Sequence, residues 1–302
     1  MAMFARDLSA AHYRSFDSYR LVLDDGVTVL AGPNAAGKTN LIEALQLLTS
    51  GASFRHPTAT ELVHDGVGSC RVQLGLEGDG RVLDMGLSVE DGKRSFSRNG
   101  KKCSAAGVRG VLPSVLFCPD HLDMVKRGAS VRRAALDDFG VQLSARYADL
   151  ASAYGRCVTQ RNALLKESWC CREMLGAWNE SIARAGSALL VHRLALLDRL
   201  ASHVRDAYGQ VASGETAHVS YASTLGDLPQ TDDREELKGW AYERMLAALD
   251  ERADEEMRRG VTLVGPHRDV IEFSVAGRSA RSFASQGQQR TLVLSWKVAE
   301  VA

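Results

Sequence analysis

The first third of the chain alternates apolar and polar positions, a pattern typical of half-buried β-strands. The alternation is clearest between residues 69 and 104, where Asn99-Gly100 also predicts a two-residue hairpin turn. A short β-branched strand is predicted over residues 27–31, and one more buried strand over residues 114–118. We therefore expect this part of the chain to consist mainly of strands.

From about residue 120 to residue 208 the apolar positions change to a helical period. Two apolar stripes run through this region: Leu143, Tyr147, Leu150, Tyr154, Val158 and Leu164 in the first, and Leu190, Leu194, Leu197, Ala201, Val204 and Tyr208 in the second. Trp169-Cys170-Cys171 lies between them, so the pattern predicts an antiparallel helical arm. Both stripes are too short and irregular for an extended coiled coil.

Strands return after the helical region. Residues 216 to 225 predict a strand and its turn, residues 233 to 257 an acidic helix, residues 270 to 275 a strand, and a final helix begins at Ser285. Strands, a helical insertion and strands again favour one α/β head with an arm inserted into it. The predicted division is 1–118 for the first part of the head, 119–215 for the arm and 216–302 for the return to the head.

Composition removes several classes of protein. The 302 residues carry 37 basic and 37 acidic side chains, so any nucleic-acid binding must come from a local patch. No apolar stretch approaches the ~18 residues of a membrane span, and the N-terminus does not resemble a secretory signal. None of the six cysteines has CxxC spacing, which favours reduced thiols in a cytoplasm over a zinc site or a disulfide framework.

Residues 32–39 match the phosphate-binding pattern G-x-x-x-x-G-K-[ST], between a predicted strand and a predicted helix. Gly32 and Gly37 allow backbone angles that turn N–H groups toward phosphate oxygens. Lys38 can reach the β- and γ-phosphates, and the Thr39 hydroxyl can bind Mg²⁺. The candidate nucleotide-binding residues here are Gly32, Pro33, Asn34, Ala35, Ala36, Gly37, Lys38, Thr39 and Asn40.

A second candidate anion site begins the last helix. Ser285 followed by Gln288 forms a capping box, which by itself predicts only a well-capped helix. A serine, Gly287 and free N–H groups at a positive helix end can also bind an anion. The further candidates for nucleotide binding are therefore Ser285, Gly287 and Gln288. Because this site lies so far along the chain from residue 39, it is suited to contacting a nucleotide held by a second copy of the chain.

The motifs together resemble the RecF family, bacterial DNA replication and repair ATPases with a head of the ABC/SMC type. The stretches that carry the resemblance are residues 32–44, 51–55, 161–166, 264–269 and 283–292. One departure is Ala35, where the family usually has glycine and where alanine resists positive φ. The resemblance implies ATP with Mg²⁺, an ATP-dependent homodimer, binding to single-stranded, gapped or junction DNA, and partners of the RecO and RecR type.

A larger departure concerns hydrolysis. The helix that begins at Ser285 corresponds to the signature helix of the family. After this helix the family has a strand of four apolar residues that ends in two acids, and no equivalent follows Ser285 in this sequence. These acids hold Mg²⁺ and the attacking water. We therefore expect this chain to bind ATP and to hydrolyse it very poorly.

Two basic clusters are candidates for DNA binding. Residues 93 to 109 carry six bases and no acid, around the predicted hairpin. The candidates there are Lys93, Arg94, Arg98, Lys101 and Lys102, and a second cluster contains Lys126, Arg127, Arg132 and Arg133. Either cluster could equally be an ordinary solvated surface; contacts with phosphates would weaken steeply with salt.

Other readings stay open. The histidines have no metal-binding spacing, and His267 lies in a RecF-like stretch with a possible nucleotide or DNA contact. A long heptad array would favour an SMC-like head outside the RecF branch, and the sequence contains none. A non-hydrolysing DNA-binding remnant fits the missing acidic strand. A small-molecule P-loop kinase would not respond to DNA, and a GTPase would need an Asn-Lys-x-Asp motif, which is absent.

Overall fold

The computed structural model describes residues 3–78, 80–212 and 214–302, and its contacts divide the chain into two compact units. The first unit extends to Leu116 and the second begins at Phe117. The three-part division at 118 and 215 stays a prediction.

The first unit is built on a six-stranded antiparallel sheet in the order β2-β1-β3-β4-β5-β6. Its elements in chain order are β1 (Phe4–Tyr13), β2 (Phe16–Val22), α1 (Lys38–Ser50), β3 (Ser69–Gly78), β4 (Arg81–Glu90), β5 (Lys93–Arg98), β6 (Lys101–Cys103) and α2 (Ala105–Val108). The β-rich region expected over residues 69 to 104 is confirmed. At the hairpin between β5 and β6, Asn99 has φ 50° and Gly100 has φ 74°, the two positive angles of a type I′ turn.

One face of this sheet forms the core of the unit. Val72 and Leu74 of β3 and Leu87 of β4 are at most 1% exposed and belong to one apolar cluster with Leu47 and Leu48 of α1. Each such side chain contributes about 1.5–3 kcal/mol when buried. The packing of α1 on the sheet therefore fixes the position of the loop that precedes α1.

Two predicted strands are wrong. Residues 27–31 and residues 114–118 have no β-structure, and Val27 and Val29 are 94% and 80% exposed. A strand needs a neighbour to pair its backbone, and neither segment has one among the described residues. Residues 27–31 are rich in β-branched side chains and residues 114–118 are mostly apolar, but strand propensity is realised only where a partner strand is available.

The second unit combines helices with a three-stranded antiparallel sheet in the order β7-β8-β9. Its elements are α3 (Asp123–Lys126), α4 (Ala129–Leu143), α5 (Ala145–Leu165), α6 (Gly176–Val211), β7 (Ala217–Ala222), α7 (Arg234–Glu251), α8 (Ala253–Arg259), β8 (Val270–Val275), β9 (Arg278–Ser279), α9 (Ala280–Phe283) and α10 (Gln286–Ala299). The predicted strand over residues 270 to 275 and the capped final helix are confirmed. The acidic helix is interrupted at Arg252, giving α7 and α8.

Helix α6 runs through two of the apolar clusters of the second unit. Its 36 residues begin well before the predicted stripe, and Ile182 and Leu190 pack with α5 and α7. Further along, Val204 packs in a cluster with Ile271 of β8 and Trp296 of α10. Helices α5 and α6 and the strands that follow them, β7 and β8, therefore share one framework within this unit.

Candidate nucleotide site and basic surfaces

The phosphate loop joins the sheet of the first unit to α1, and Gly37 is fixed at their junction. This glycine is the N-cap of α1 with φ 87°, in the left-handed region. A Cβ atom there would lie 2.5 Å from Cζ of Phe16 and 2.7 Å from Oγ of Ser15. Both the backbone angle and the close approach therefore require glycine at this position.

Lys38 folds back over the loop. Its Nζ donates hydrogen bonds to the carbonyl oxygens of Gly32 and Pro33, each at 2.7 Å. The side chain thus places a positive charge inside the turn of the loop, while residues 32–36 and Thr39 are exposed. A triphosphate would be held by Lys38 and the backbone N–H groups at the start of α1, with Thr39 supplying a hydroxyl for Mg²⁺.

Ala35 adopts φ 66°, the positive angle that alanine resists. Ala35 therefore carries local strain in the phosphate loop.

A buried carboxylate lies just beyond the loop, and sequence reasoning did not identify it. Glu43 of α1 is 0% exposed and accepts hydrogen bonds from Arg14, Ser53 and Arg55. Arg55 also donates from Nη1 to Oδ1 of Asn40 at 2.9 Å. The signal in the sequence was an acid on the apolar face of the helix after the phosphate loop. A carboxylate buried there needs hydrogen-bonding or charged partners, which predicts a polar cluster around it.

The charge on Glu43 is reflected in its neighbours. Burial lowers the pKa of Arg14, but its hydrogen bond to Glu43 and the attraction between the two charges outweigh burial, so the net pKa is raised. Burial raises the pKa of Tyr13, and the negative charge of Glu43 raises it further. Arg14 is therefore a permanently charged partner of Glu43.

The second candidate anion site has the expected cap. Oγ of Ser285 accepts from the backbone N–H of Gln288 at 3.2 Å, and Oε1 of Gln288 accepts from the N–H of Ser285 at 2.8 Å. The Gln288 side chain also donates from Nε2 to both carboxylate oxygens of Glu215 at 3.0 Å. Burial, together with Glu215, raises the pKa of Tyr208 to about 12. Nucleotide contacts by Ser285, Gly287 and Gln288 stay predictions.

Arginines around this helix start were missed by sequence reasoning. Arg278, Arg281 and Arg290 are exposed, and none forms an ion pair with a residue that the structure describes. The guanidinium of Arg278 lies 4.0 Å from the centroid of the Phe283 ring. The stretch from 273 to 299 contains no acid, which was the signal in the sequence.

The hairpin places its basic side chains on two faces of the sheet. Arg98 pairs with Lys101 across the turn, on the face of Phe96, whereas Lys102 pairs with Ser97 on the opposite face. Lys93, Arg98, Lys101 and Lys102 are exposed. Arg94 is half-buried, and its Nη2 donates to the carbonyl oxygen of Pro57. Arg94 therefore has a structural partner, whereas the four exposed bases are free to meet an anion.

Two of the four members of the second basic cluster have structural partners within the fold. Arg132 is buried and donates to the carbonyl oxygens of Ile271, Met124 and Arg127. Arg133 donates to the carbonyl oxygen of Asp269 at 2.6 Å. These contacts hold α4 against β8, so Arg132 and Arg133 are poor candidates for DNA binding, whereas Lys126 and Arg127 are exposed.

His267 is part of a buried polar network. Its ring nitrogens lie 2.7 Å from the Tyr154 hydroxyl and 3.1 Å from the carbonyl oxygen of Thr262. Burial lowers the pKa of His267 to about 4. Asp269 is also buried and accepts from Tyr221 and Thr224. The RecF-like stretch 264–269 thus joins α5 to β7 and β8.

The part of the chain that the structure describes contains neither a metal-binding cluster nor a membrane-spanning helix. No cluster of three or more histidine, cysteine or acidic side chains is arranged to hold a metal ion. None of the described helices is both long enough and apolar enough to cross a bilayer.

Comparison with known proteins places these features in a family. A family model described as "AAA domain, putative AbiEii toxin, Type IV TA system" matches residues 27–96. The DNA replication and repair protein RecF of Gloeobacter violaceus is 35% identical over 99% of this chain and 80% of the relative. RecF of Heliobacterium modesticaldum is 34% identical over 98% of this chain and 79% of the relative.

Solved structures agree with the sequence relatives. A structure of "the recombination mediator protein RecF-ATP in RecFOR pathway" matches with a TM-score of 0.90 and 26% identity, covering 99% of this chain and 81% of that one. An Smc head domain from Pyrococcus furiosus matches with a TM-score of 0.55 and 14% identity over 99% of this chain and 79% of that one, a likeness of fold alone. The expected P-loop NTPase head of the ABC/SMC type is confirmed.

Proposed function

The chain belongs to the RecF family, and from that premise we propose that it is an ATP-dependent DNA-binding protein of recombinational repair and replication. The observation that carries the proposal is the phosphate loop on α1. Gly37 adopts the left-handed angle that the loop needs, and Lys38 holds its ammonium inside the turn. The negative charge of bound ATP would drive the assembly of two copies of the chain. Mg²⁺ at the Thr39 hydroxyl would neutralise part of that negative charge.

The test is equilibrium binding of Mg·ATP to the whole chain by titration calorimetry. Lys38→Met removes the charge while keeping the aliphatic length, and should weaken binding at least about 30-fold, equivalent to about 2 kcal/mol. Lys126→Met, an exposed lysine of α3, serves as the control and should bind ATP as the unaltered chain does. Equal affinity of the Lys38→Met variant and the control would contradict the proposed site.

We propose that ATP joins two copies of the chain. The start of α10, with Ser285 and Gly287, is a positive helix end that would meet the triphosphate held by Lys38 of a second copy. Gly287 has open space where a side chain would begin: beyond its chain neighbours and the backbone of its own helix, the nearest atom to an added Cβ would be Oγ of Ser285 at 3.8 Å. A phosphate could therefore approach the backbone there closely.

For DNA, we propose that the four exposed bases of the hairpin bind phosphates. They are Lys93, Arg98, Lys101 and Lys102. Such contacts are independent of sequence, which suits recognition of DNA by its structure, such as a gap or a junction. Partners of the RecO and RecR type and a cytoplasmic location are proposed from family membership; a RecF relative is described as a mediator in the RecFOR pathway.

The alternative candidate is a DNA-binding protein that binds ATP without appreciable hydrolysis. One observation favours it: the carboxylate of α1, Glu43, already accepts hydrogen bonds from two arginines and is not free to act as a base. Steady-state phosphate release by the whole chain with DNA present tests this alternative. A rate well above the DNA-free background would reject the alternative.

A further inference from the structure

Glu43 is fully buried in the first unit, on the helix that carries the phosphate loop. It lies four residues after Thr39, so the two side chains lie about one helical turn apart on the same side of α1. Leu47 continues the same row and belongs to the apolar core. A lone carboxylate in such surroundings is strongly unfavourable, so its partners must compensate for the burial.

Three segments supply those partners. Arg14, in the turn between β1 and β2, donates from Nε at 3.1 Å and from Nη2 at 2.9 Å. In the segment that follows α1, Ser53 donates from Oγ at 2.6 Å and Arg55 from Nη1 at 3.4 Å. The carboxylate thus ties the β1–β2 turn and the segment after α1 to the base of the phosphate loop.

Arg55 is the exposed member of this cluster. Its side chain is 38% exposed, against 19% for Arg14. A second bond runs from its Nη1 to Oδ1 of Asn40, whose Nδ2 donates to Oγ of Ser15 at 3.0 Å. Since one carboxylate faces two guanidiniums, the cluster keeps a net positive charge, and its exposed part is Arg55, beside the first turn of α1.

We propose that Glu43 is a positioning residue for nucleotide binding, holding the Arg55 guanidinium beside the phosphate loop so that it attracts the triphosphate. This inference rests on the proposed ATP binding. Without the carboxylate, the guanidiniums of Arg14 and Arg55 repel each other, and Arg55, the more exposed of the two, leaves its position. The same interaction explains why a buried acid is placed on the apolar side of α1.

The experiment is a double-mutant cycle on the affinity of the whole chain for Mg·ATP, with Glu43→Gln, Arg55→Met and the double variant. If Glu43 acts through Arg55, each single change weakens binding about 10-fold and the double variant is also weakened about 10-fold, because the two changes remove one interaction. Glu43→Asp, which keeps the charge, should recover part of the loss. Glu77→Gln, an exposed acid of β3, is the matched control.

A merely structural role gives a different pattern. A double variant weakened about 100-fold, the product of the single effects, would overturn the inference while leaving ATP binding by the loop intact. An affinity of Glu43→Gln within twofold of the unaltered chain would also overturn it. If Glu43→Gln does not fold, the same cycle with Glu43→Asp decides by the same criterion. Failure of the unaltered chain to bind ATP would overturn both this inference and the proposed function.

Discussion

At the scale of single residues, the phosphate loop contains two left-handed positions with opposite energetic consequences. Gly37 adopts φ 87° without a Cβ to strain, and Ala35 adopts φ 66° with one. The angle costs a non-glycine residue about 1–2 kcal/mol. The loop therefore keeps its conformation because neighbouring contacts, such as the packing of Gly37 against Phe16, determine it.

We expect Ala35→Gly to stabilise the protein. Relief of the positive φ outweighs the greater freedom of glycine in the unfolded chain, leaving a net gain of about 0.5–1 kcal/mol and a rise in Tm of about 1–4 °C. Ala36→Gly is the control, because Ala36 is equally exposed but does not have a positive φ, and it should lower Tm. Thermal unfolding of both variants checks this; equal losses of Tm would contradict it.

His267 makes stability depend on pH. Its pKa is about 4 when folded, against about 6.5 in an unfolded chain, so the unfolded state binds more protons between these values. The contribution of His267 is fully present above pH of about 6.5 and is lost as the pH falls toward about 4. The groups around the ring are the Tyr154 hydroxyl, the Thr262 carbonyl and the charges of Arg133, Arg268 and Asp269.

We therefore expect His267→Gln to flatten the loss of unfolding free energy between pH 6.5 and pH 4, measured by urea denaturation at several pH values. Part of the slope should remain, because burial also lowers the pKa of His121 to about 4. His203→Gln, an exposed histidine of α6, is the control. A slope for His267→Gln as steep as that of the unaltered protein would contradict this account.

At the scale of elements, the sequence was informative where local signals and burial agree. The strand over residues 270 to 275 alternates buried and less buried positions, and the turn Asn99-Gly100 specifies its own geometry. Residues 27–31 have the same composition as a strand and form none, because pairing depends on a neighbour that local sequence does not reveal. The Glu43 cluster was hidden for a related reason, since its members are up to 41 residues apart in the chain.

The hairpin between β5 and β6 is the element on which we expect DNA binding to depend. Lys101→Gln with Lys102→Gln should weaken binding to a gapped duplex and reduce the slope of log affinity against log salt by about 1–2. Fluorescence anisotropy over a range of salt concentrations measures both quantities. Lys238→Gln on α7 is the control; an unchanged slope in the hairpin variant would remove this element from the DNA surface.

At the scale of the whole molecule, the two helix starts that we propose as anion-binding sites belong to separate compact units. The start of α1 carries the phosphate loop, and the start of α10 carries Ser285 and Gly287. We propose that ATP, rather than a general basic surface, controls assembly, which is consistent with the balanced net charge of the chain.

The most direct measurement is the mass of the whole chain by sedimentation equilibrium with Mg²⁺ and a non-hydrolysable ATP analogue. The account predicts a shift from 32.7 kDa to about twice that mass. Gly287→Glu should stay monomeric although it suits the first turn of α10, because its carboxylate repels the incoming phosphate. Analogue-saturated protein that remains at 32.7 kDa, or a Gly287→Glu variant that dimerises equally well, would contradict the account.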